Sequence, residues 1–177
     1  AINQGTRHLR TLDGLVIVAP NQEQVFKNLV PPERVHLIPH GVDTQFFHPR
    51  ESAPERKKQC LFVGSHLRDF QMLRQVLQGL SSRDPDVSFA VLTQQEHFRH
   101  FSGLRQVSLF SAITEEQLLH LYASSSLLLL PLIDATANNT MLEAMACGRP
   151  VVASDAGGIR MYGQAGGAVF VPRGDAE

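Results

Sequence analysis

Short, continuously apolar runs separated by helix-patterned segments constrain this chain more than any other feature. Residues 60–63 (CLFV), 87–92 (VSFAVL), 107–110 (VSLF), 127–130 (LLLL), 151–154 (VVAS) and 168–171 (AVFV) each read as a strand. The LLLL run lacks polar alternation, the mark of a strand covered on both faces. Between the runs, Phe70, Leu73, Leu77 and Leu80 share one helical face behind a candidate N-cap, Asp69. Residues 96–101 predict a second helix, and Thr114-Glu-Glu-Gln117 opens a third with a capping box. Residues 140–147 predict a fourth, ended by Gly148. Upstream, residues 14–18 (GLVIV) read as a strand, 21–29 as a helix stopped by Pro31 and Pro32, and 35–38 as another strand. Residues 49–59 are charged, proline-containing and aperiodic, a surface linker. Such alternation means βαβ units, an α/β fold with a doubly wound, mostly parallel sheet.

Composition narrows the function classes. At 177 residues the chain is one domain with room for a fragment of a second. With 43% hydrophobic residues and a net charge of −1 it is no disordered segment. The same balance lacks the basic footprint of a nucleic-acid or anionic-membrane binder. The longest apolar run, residues 127–133, contains Pro131 and falls far short of the ~20 residues of a membrane span. The first ten residues are polar, with no signal-peptide core. Cys60 and Cys147 each sit among apolar neighbours, so the expectation is two buried, reduced thiols in a cytoplasmic protein.

In a doubly wound sheet, ligands bind outside the carboxyl ends of the strands. The loop Gly64-Ser-His-Leu-Arg-Asp69 joins a buried strand to a helix start, where exposed amides favour an anion and Arg68 and His66 could add charge. It reads equally as an ordinary βα turn with a solvated arginine. The loop leading to Asn138, Asn139 and Thr140 again aims small polar residues at a helix start, suiting a diphosphate and its hydroxyls. Thr140-x-x-Glu143 is also a capping box, which would explain Glu143 without any ligand; a carboxylate there can equally accept from a ribose diol. The pair Gly157-Gly158 permits either a close backbone approach or a plain turn. Asp84-Pro-Asp86 has a metal-dependent spacing but precedes a strand, which argues against a metal site. His36 and His40 flank a strand and a turn, so their spacing carries no metal signal, and His97 and His100 read as solvated.

These residues resemble one family. Ile38-Pro-His-Gly-Val-Asp-Thr-Gln-Phe-Phe-His-Pro49 resembles the segment joining the two Rossmann-like domains of glycosyltransferase family 4, a GT-B fold. The stretch from Leu142 to Gly158 (LEAMACGRPVVASDAGG) is similar to a signature of that family almost residue for residue, and Glu116 to Ala123 is similar to its E-x-L-x-x-x-Y-A helix. The resemblance implies a retaining transfer of a sugar from a nucleotide-sugar donor to a glycan, lipid or small-molecule acceptor, with no cofactor and no essential metal. It implies that residues 1–37 end an acceptor domain, 38–59 link, and 60–177 form the donor-binding domain, C-terminally incomplete. A peripheral membrane contact, should one exist, would belong to the absent part. Such a piece is expected to bind nucleotide but not to catalyse transfer alone.

By position, Glu143 matches the family's ribose-binding glutamate. Asn138, Asn139, Thr140 and Met141 match the segment facing the diphosphate and donor sugar, and Gly64 and Ser65 the first donor-domain loop. Three departures stand out. The partner glutamate falls at Ala135, with Asp134 the nearest carboxylate. The basic positions of the first loop are Ser65 and Phe70, leaving Arg68, helped by His66, to neutralise charge. A Gly-Phe-Gly segment reads Thr136-Ala137-Asn138. The departures also allow a non-catalytic nucleotide- or sugar-binding domain of the same fold; a sugar-nucleotide epimerase is the remaining alternative.

Overall fold

The apolar runs assemble as a six-stranded parallel sheet. The computed structural model describes residues 4–50 and 58–176, so residues 51–57 of the expected linker lie outside the described residues. The sheet comprises β3 (Gln59–Val63), β4 (Ser88–Leu92), β5 (Val107–Phe110), β6 (Leu127–Leu130), β7 (Val151–Ser154) and β8 (Ala168–Val171). Its order is β5-β4-β3-β6-β7-β8. Cys60 lies opposite Phe89 on one side and Leu127 on the other. The chain therefore winds outward from β3 in one direction and, after crossing over to β6, outward in the other. That reversal opens a crevice between the carboxyl ends of β3 and β6.

Side chains alternate across the sheet into two cores. Leu61, Leu128, Leu130 and Val151 pack with Leu119 and Tyr122 of α3 (Glu115–Ser124) and with Met141 and Ala144 of α4 (Asn139–Ala146). Phe62, Phe89, Val91 and Leu129 pack with Phe70, Leu73 and Leu77 of α2 (Phe70–Arg83) on the other face. Burying each such side chain stabilises the fold by about 1.5–3 kcal/mol. The caps are local. Asp69 accepts from the Met72 amide, and Thr114 and Gln117 form the expected capping box. Helix α4 ends in a Schellman motif, with Arg149 N–H bonding the Ala144 carbonyl, Gly148 N–H bonding that of Met145, and Gly148 at φ +69°. Both cysteines are free and buried.

Three local expectations are corrected. The helix expected over 21–29 is reduced to α1 (Glu23–Phe26) behind a 3₁₀ turn at Pro20–Gln22. It buries no residue, and a few unsupported turns cannot offset the cost of nucleation. The segment Gln95–Phe101 is 3₁₀, not α-helical. In a 3₁₀ helix positions i and i+3 eclipse. His97 and His100 accordingly lie over one ring, stacked on Phe70 at 4.2 and 5.2 Å, instead of being solvated. The third concerns the start of α4 and is taken up with the site.

Upstream, β1 (Leu15–Ile17) and β2 (Val35–Leu37) form a separate two-stranded parallel sheet. Residues 38–50 then cross to the larger unit. Phe46 and Phe47 pack against its core, Phe47 edge-on to Tyr122 at 6.2 Å, and Arg50 pairs with Glu116 at 3.4 Å.

Candidate functional site

The loops after β3 and β6 meet at the crevice. Asp69 N–H bonds the Pro131 carbonyl at 3.1 Å and Ile133 N–H that of Leu67 at 3.0 Å, while Arg68 bridges Leu132. Gly64 turns the chain out of β3 at φ +111°, and Leu67 lies in the left-handed region at φ +55°, a costly conformation for a non-glycine residue that the surrounding structure must hold. The Arg68 guanidinium folds back over Gly64. Its Nε donates to the Val63 carbonyl at 3.1 Å, Nη1 to that of His66 at 3.2 Å, and Nη2 reaches Thr140 Oγ1 at 3.4 Å. A Cβ on Gly64 would lie 2.7 Å from Nη2, so this glycine is needed for its conformation and for the passage of the guanidinium. Among the described residues no carboxylate pairs with Arg68, and burial pulls its pKa down to about 10, partly opposed by Tyr122. A desolvated cation with only neutral partners is poised to receive an anion.

The start of α4 faces the same space. Asn138, not Thr140, is the N-cap, with its buried Oδ1 accepting from the Met141 amide at 3.1 Å. The capping box expected at Thr140 and Glu143 is therefore absent. The amides of Asn139 and Thr140 lie in the first turn and have no intrahelical acceptor. Glu143 shares their helix face at i+4 and i+3, about 4.5 Å further along the axis than Thr140. Its Oε2 accepts from the Tyr122 hydroxyl at 2.8 Å. Burial raises the pKa of this carboxyl, the Tyr122 hydrogen bond lowers it, and Glu115 adds to the rise.

The remaining sequence-predicted residues divide by position. Ser65 ties the first loop to the next, sharing a hydrogen bond with Thr93 at 2.9 Å and accepting from Gln94 N–H at 3.2 Å. His66 is exposed, and its carbonyl accepts from Arg68. Met141 is fully buried, so its side chain serves the core. Asp134 is exposed and its Oδ1 accepts from the Ala135 amide at 2.8 Å. Ala135 is buried, and its carbonyl accepts from Gly158 N–H at 2.9 Å and from Asn21 Nδ2 at 3.0 Å. A side chain on Gly158 would collide with Ala19 and Asn21, and one on Gly157 with Ala135. Of the two readings of this glycine pair, the close approach holds: Gly157 admits the Ala135 backbone and Gly158 the Ala19 and Asn21 side chains. Tyr162, absent from the sequence reading, binds the Val18 carbonyl and the His40 amide through its hydroxyl. Away from the crevice, Asp84 pairs with Lys58 at 3.1 Å, and the His40 ring turns to the Gly41 carbonyl. A cavity of about 580 Å³ lies beside α2 against β6 and β7; neither Arg68 nor any residue of 138–143 lines it.

Residues 57–177 match the family described as glycosyl transferases group 1. The chain is 28% identical over 139 residues to MMP alpha-(1->4)-mannosyltransferase of Mycolicibacterium hassiacum, covering 73% of this chain and 33% of the relative. Sucrose-phosphate synthase from Thermosynechococcus elongatus superposes with a TM-score of 0.79 at 21% identity, over 97% of this chain and 48% of the other. Anabaena HepE, solved in complex with UDP and glucose, does so at 0.68 and 16%, over 97% and 54%. The chain thus spans a third of that curated relative and about half of each of these two solved proteins. Both structures share its α/β fold. No helix among the described residues is long and apolar enough to cross a membrane.

Proposed function

Because the chain belongs to the group 1 glycosyl transferases, we propose that it supplies the donor-binding part of a retaining enzyme that moves a hexose from a nucleotide sugar to an acceptor. The observation that carries this reading is the guanidinium of Arg68, desolvated and unpaired by any described carboxylate, facing the open amides of α4. The diphosphate lies between them, and Glu143 accepts from the ribose hydroxyls one helical turn further on. That HepE, of the same fold, was solved with UDP and glucose supports a nucleotide ligand. As the bond from the anomeric carbon to the β-phosphate oxygen breaks, negative charge grows on the leaving diphosphate. Arg68 and the helix amides stabilise it, a role worth about 2.7–4 kcal/mol for one preorganised donor. These groups carry the charge that a metal ion carries in other transferases. In this reading β1 and β2 end the acceptor domain, 38–59 link, and the isolated chain does not transfer sugar.

One observation favours a binding-only alternative. The side chain at Ala135 points into the core, so that position offers the donor sugar no carboxylate. Calorimetric titration of the chain with UDP, GDP and ADP tests binding. At least one should bind, and Glu143→Gln should weaken it with the melting temperature nearly unchanged. Failure of all three to bind contradicts the reading, and transfer from UDP-, GDP- or ADP-sugars by the full-length protein separates the enzyme from the binding-only form.

A further inference from the structure

Tyr122 is fully buried in a largely aliphatic core, where a phenylalanine would fill the same space without a hydroxyl to desolvate. Its ring is fixed edge-on by Phe47 at 6.2 Å. Its hydroxyl donates to Glu143 Oε2 at 2.8 Å and lies 3.5 Å from the Thr140 carbonyl. The hydroxyl thus meets α4 at the two residues assigned above to the diphosphate and the ribose. One carboxylate oxygen is occupied from beneath and the other is left for a ligand diol, since an ionised carboxylate can accept several hydrogen bonds.

We propose that Tyr122 is a positioning residue, holding the Glu143 carboxylate in the orientation that recognises the ribose of the donor nucleotide. This inference rests on the donor-binding reading of Glu143. Without the hydroxyl, the glutamate is free to leave its rotamer, and its charge loses a donor that favours the ionised form. The charged and titratable groups around it are Tyr122 and Glu115 from α3, Cys147 at the C-cap of its own helix, and Arg68 across Thr140. None of the other three replaces the missing donor.

The test is a double-mutant cycle on this chain with Tyr122→Phe and Glu143→Gln, titrated with UDP, GDP, ADP and the 2′-deoxy form of whichever binds. Tyr122→Phe should weaken ribonucleotide binding at least about tenfold, the scale of one hydrogen bond to a charged group. It should largely erase the preference for ribo- over deoxyribonucleotide. The pH below which affinity falls should move upward, because the Glu143 carboxyl protonates more readily. On the Glu143→Gln background the same substitution should cost almost nothing. Retained ribose preference, or an equal loss on both backgrounds, overturns the proposal. A merely loosened core would lower the melting temperature and weaken ribo and deoxy forms alike, which also overturns it. If Glu143→Gln leaves affinity and ribose preference intact, the ribose role of Glu143 itself is wrong, and the error lies in the reading beneath.

Discussion

Arg68→Met separates an anion receptor from a structural strut. In the native chain the guanidinium makes three contacts to neutral acceptors, the Val63 and His66 carbonyls and the Thr140 hydroxyl. The two carbonyl bonds, made by a charged donor, are worth about 1.5–3 kcal/mol each, and the 3.4 Å reach to Thr140 adds little. Against them stands desolvation, which drops the pKa to about 10, a penalty on the charged form of roughly 3 kcal/mol at about 1.4 kcal/mol per tenfold change. The two sides largely offset each other. Methionine keeps the unbranched stem beside Gly64 and removes the charge, so stability should fall by no more than about 3 kcal/mol. A diphosphate, by contrast, loses a charge-assisted partner worth about 1.5–3 kcal/mol, at least a tenfold loss of affinity. Urea unfolding and calorimetry with UDP, GDP and ADP measure the two quantities separately. A loss of several kcal/mol in stability with unchanged affinity would show that the arginine only braces its loop.

Other expectations follow from the same geometry. Gly64→Ala combines an unfavourable φ with a clash against Arg68; it should cost about 1–3 kcal/mol in stability and lower both the unfolding midpoint and nucleotide affinity. Gly158→Ala would force the methyl into Ala19 and Asn21, so amides of residues 17–22 should exchange faster with solvent while those of β6 stay protected. The pKa of His100 is lowered by desolvation and by Arg99, His97 and Arg74. Below the ordinary histidine value of ~6.5 the unfolded chain therefore binds more protons than the folded one, and stability falls as pH falls. His100→Gln should flatten that decline below about pH 6.5 in thermal melts; an unchanged slope would assign it elsewhere.

The sheet was legible because its strands are set by burial on both faces, which the runs at 60–63 and 127–130 display without any knowledge of partners. Asp69 and Thr114 were legible as caps because capping acts over three residues. The start of α4 was not. Asn138 and Thr140 are both good cap residues two positions apart, and local propensity cannot choose between them; the structure places the cap at Asn138, with Met141 fully buried. The family resemblance pointed to Glu143, but not to its pairing with Tyr122, 21 residues away. Nor does sequence show that Asn21 reaches across 114 residues to the Ala135 carbonyl, or that Tyr162 clasps Val18 and His40. Such contacts depend on how the two sheets sit together, and no short-range pattern encodes them. The histidines of 95–101 were misread because exposure was inferred from polarity, while their ring faces stack on Phe70.

The central claim is that a nucleoside diphosphate sits between Arg68 and the first turn of α4. Amide and arginine side-chain chemical shifts, followed while UDP, GDP and ADP are titrated into the labelled chain, address it directly. The account predicts that one of the three moves the Asn139 and Thr140 amides and the Arg68 Nε–H most, with Glu143 following. Shifts confined to the cavity beside α2, or no shifts with any of the three, would contradict it.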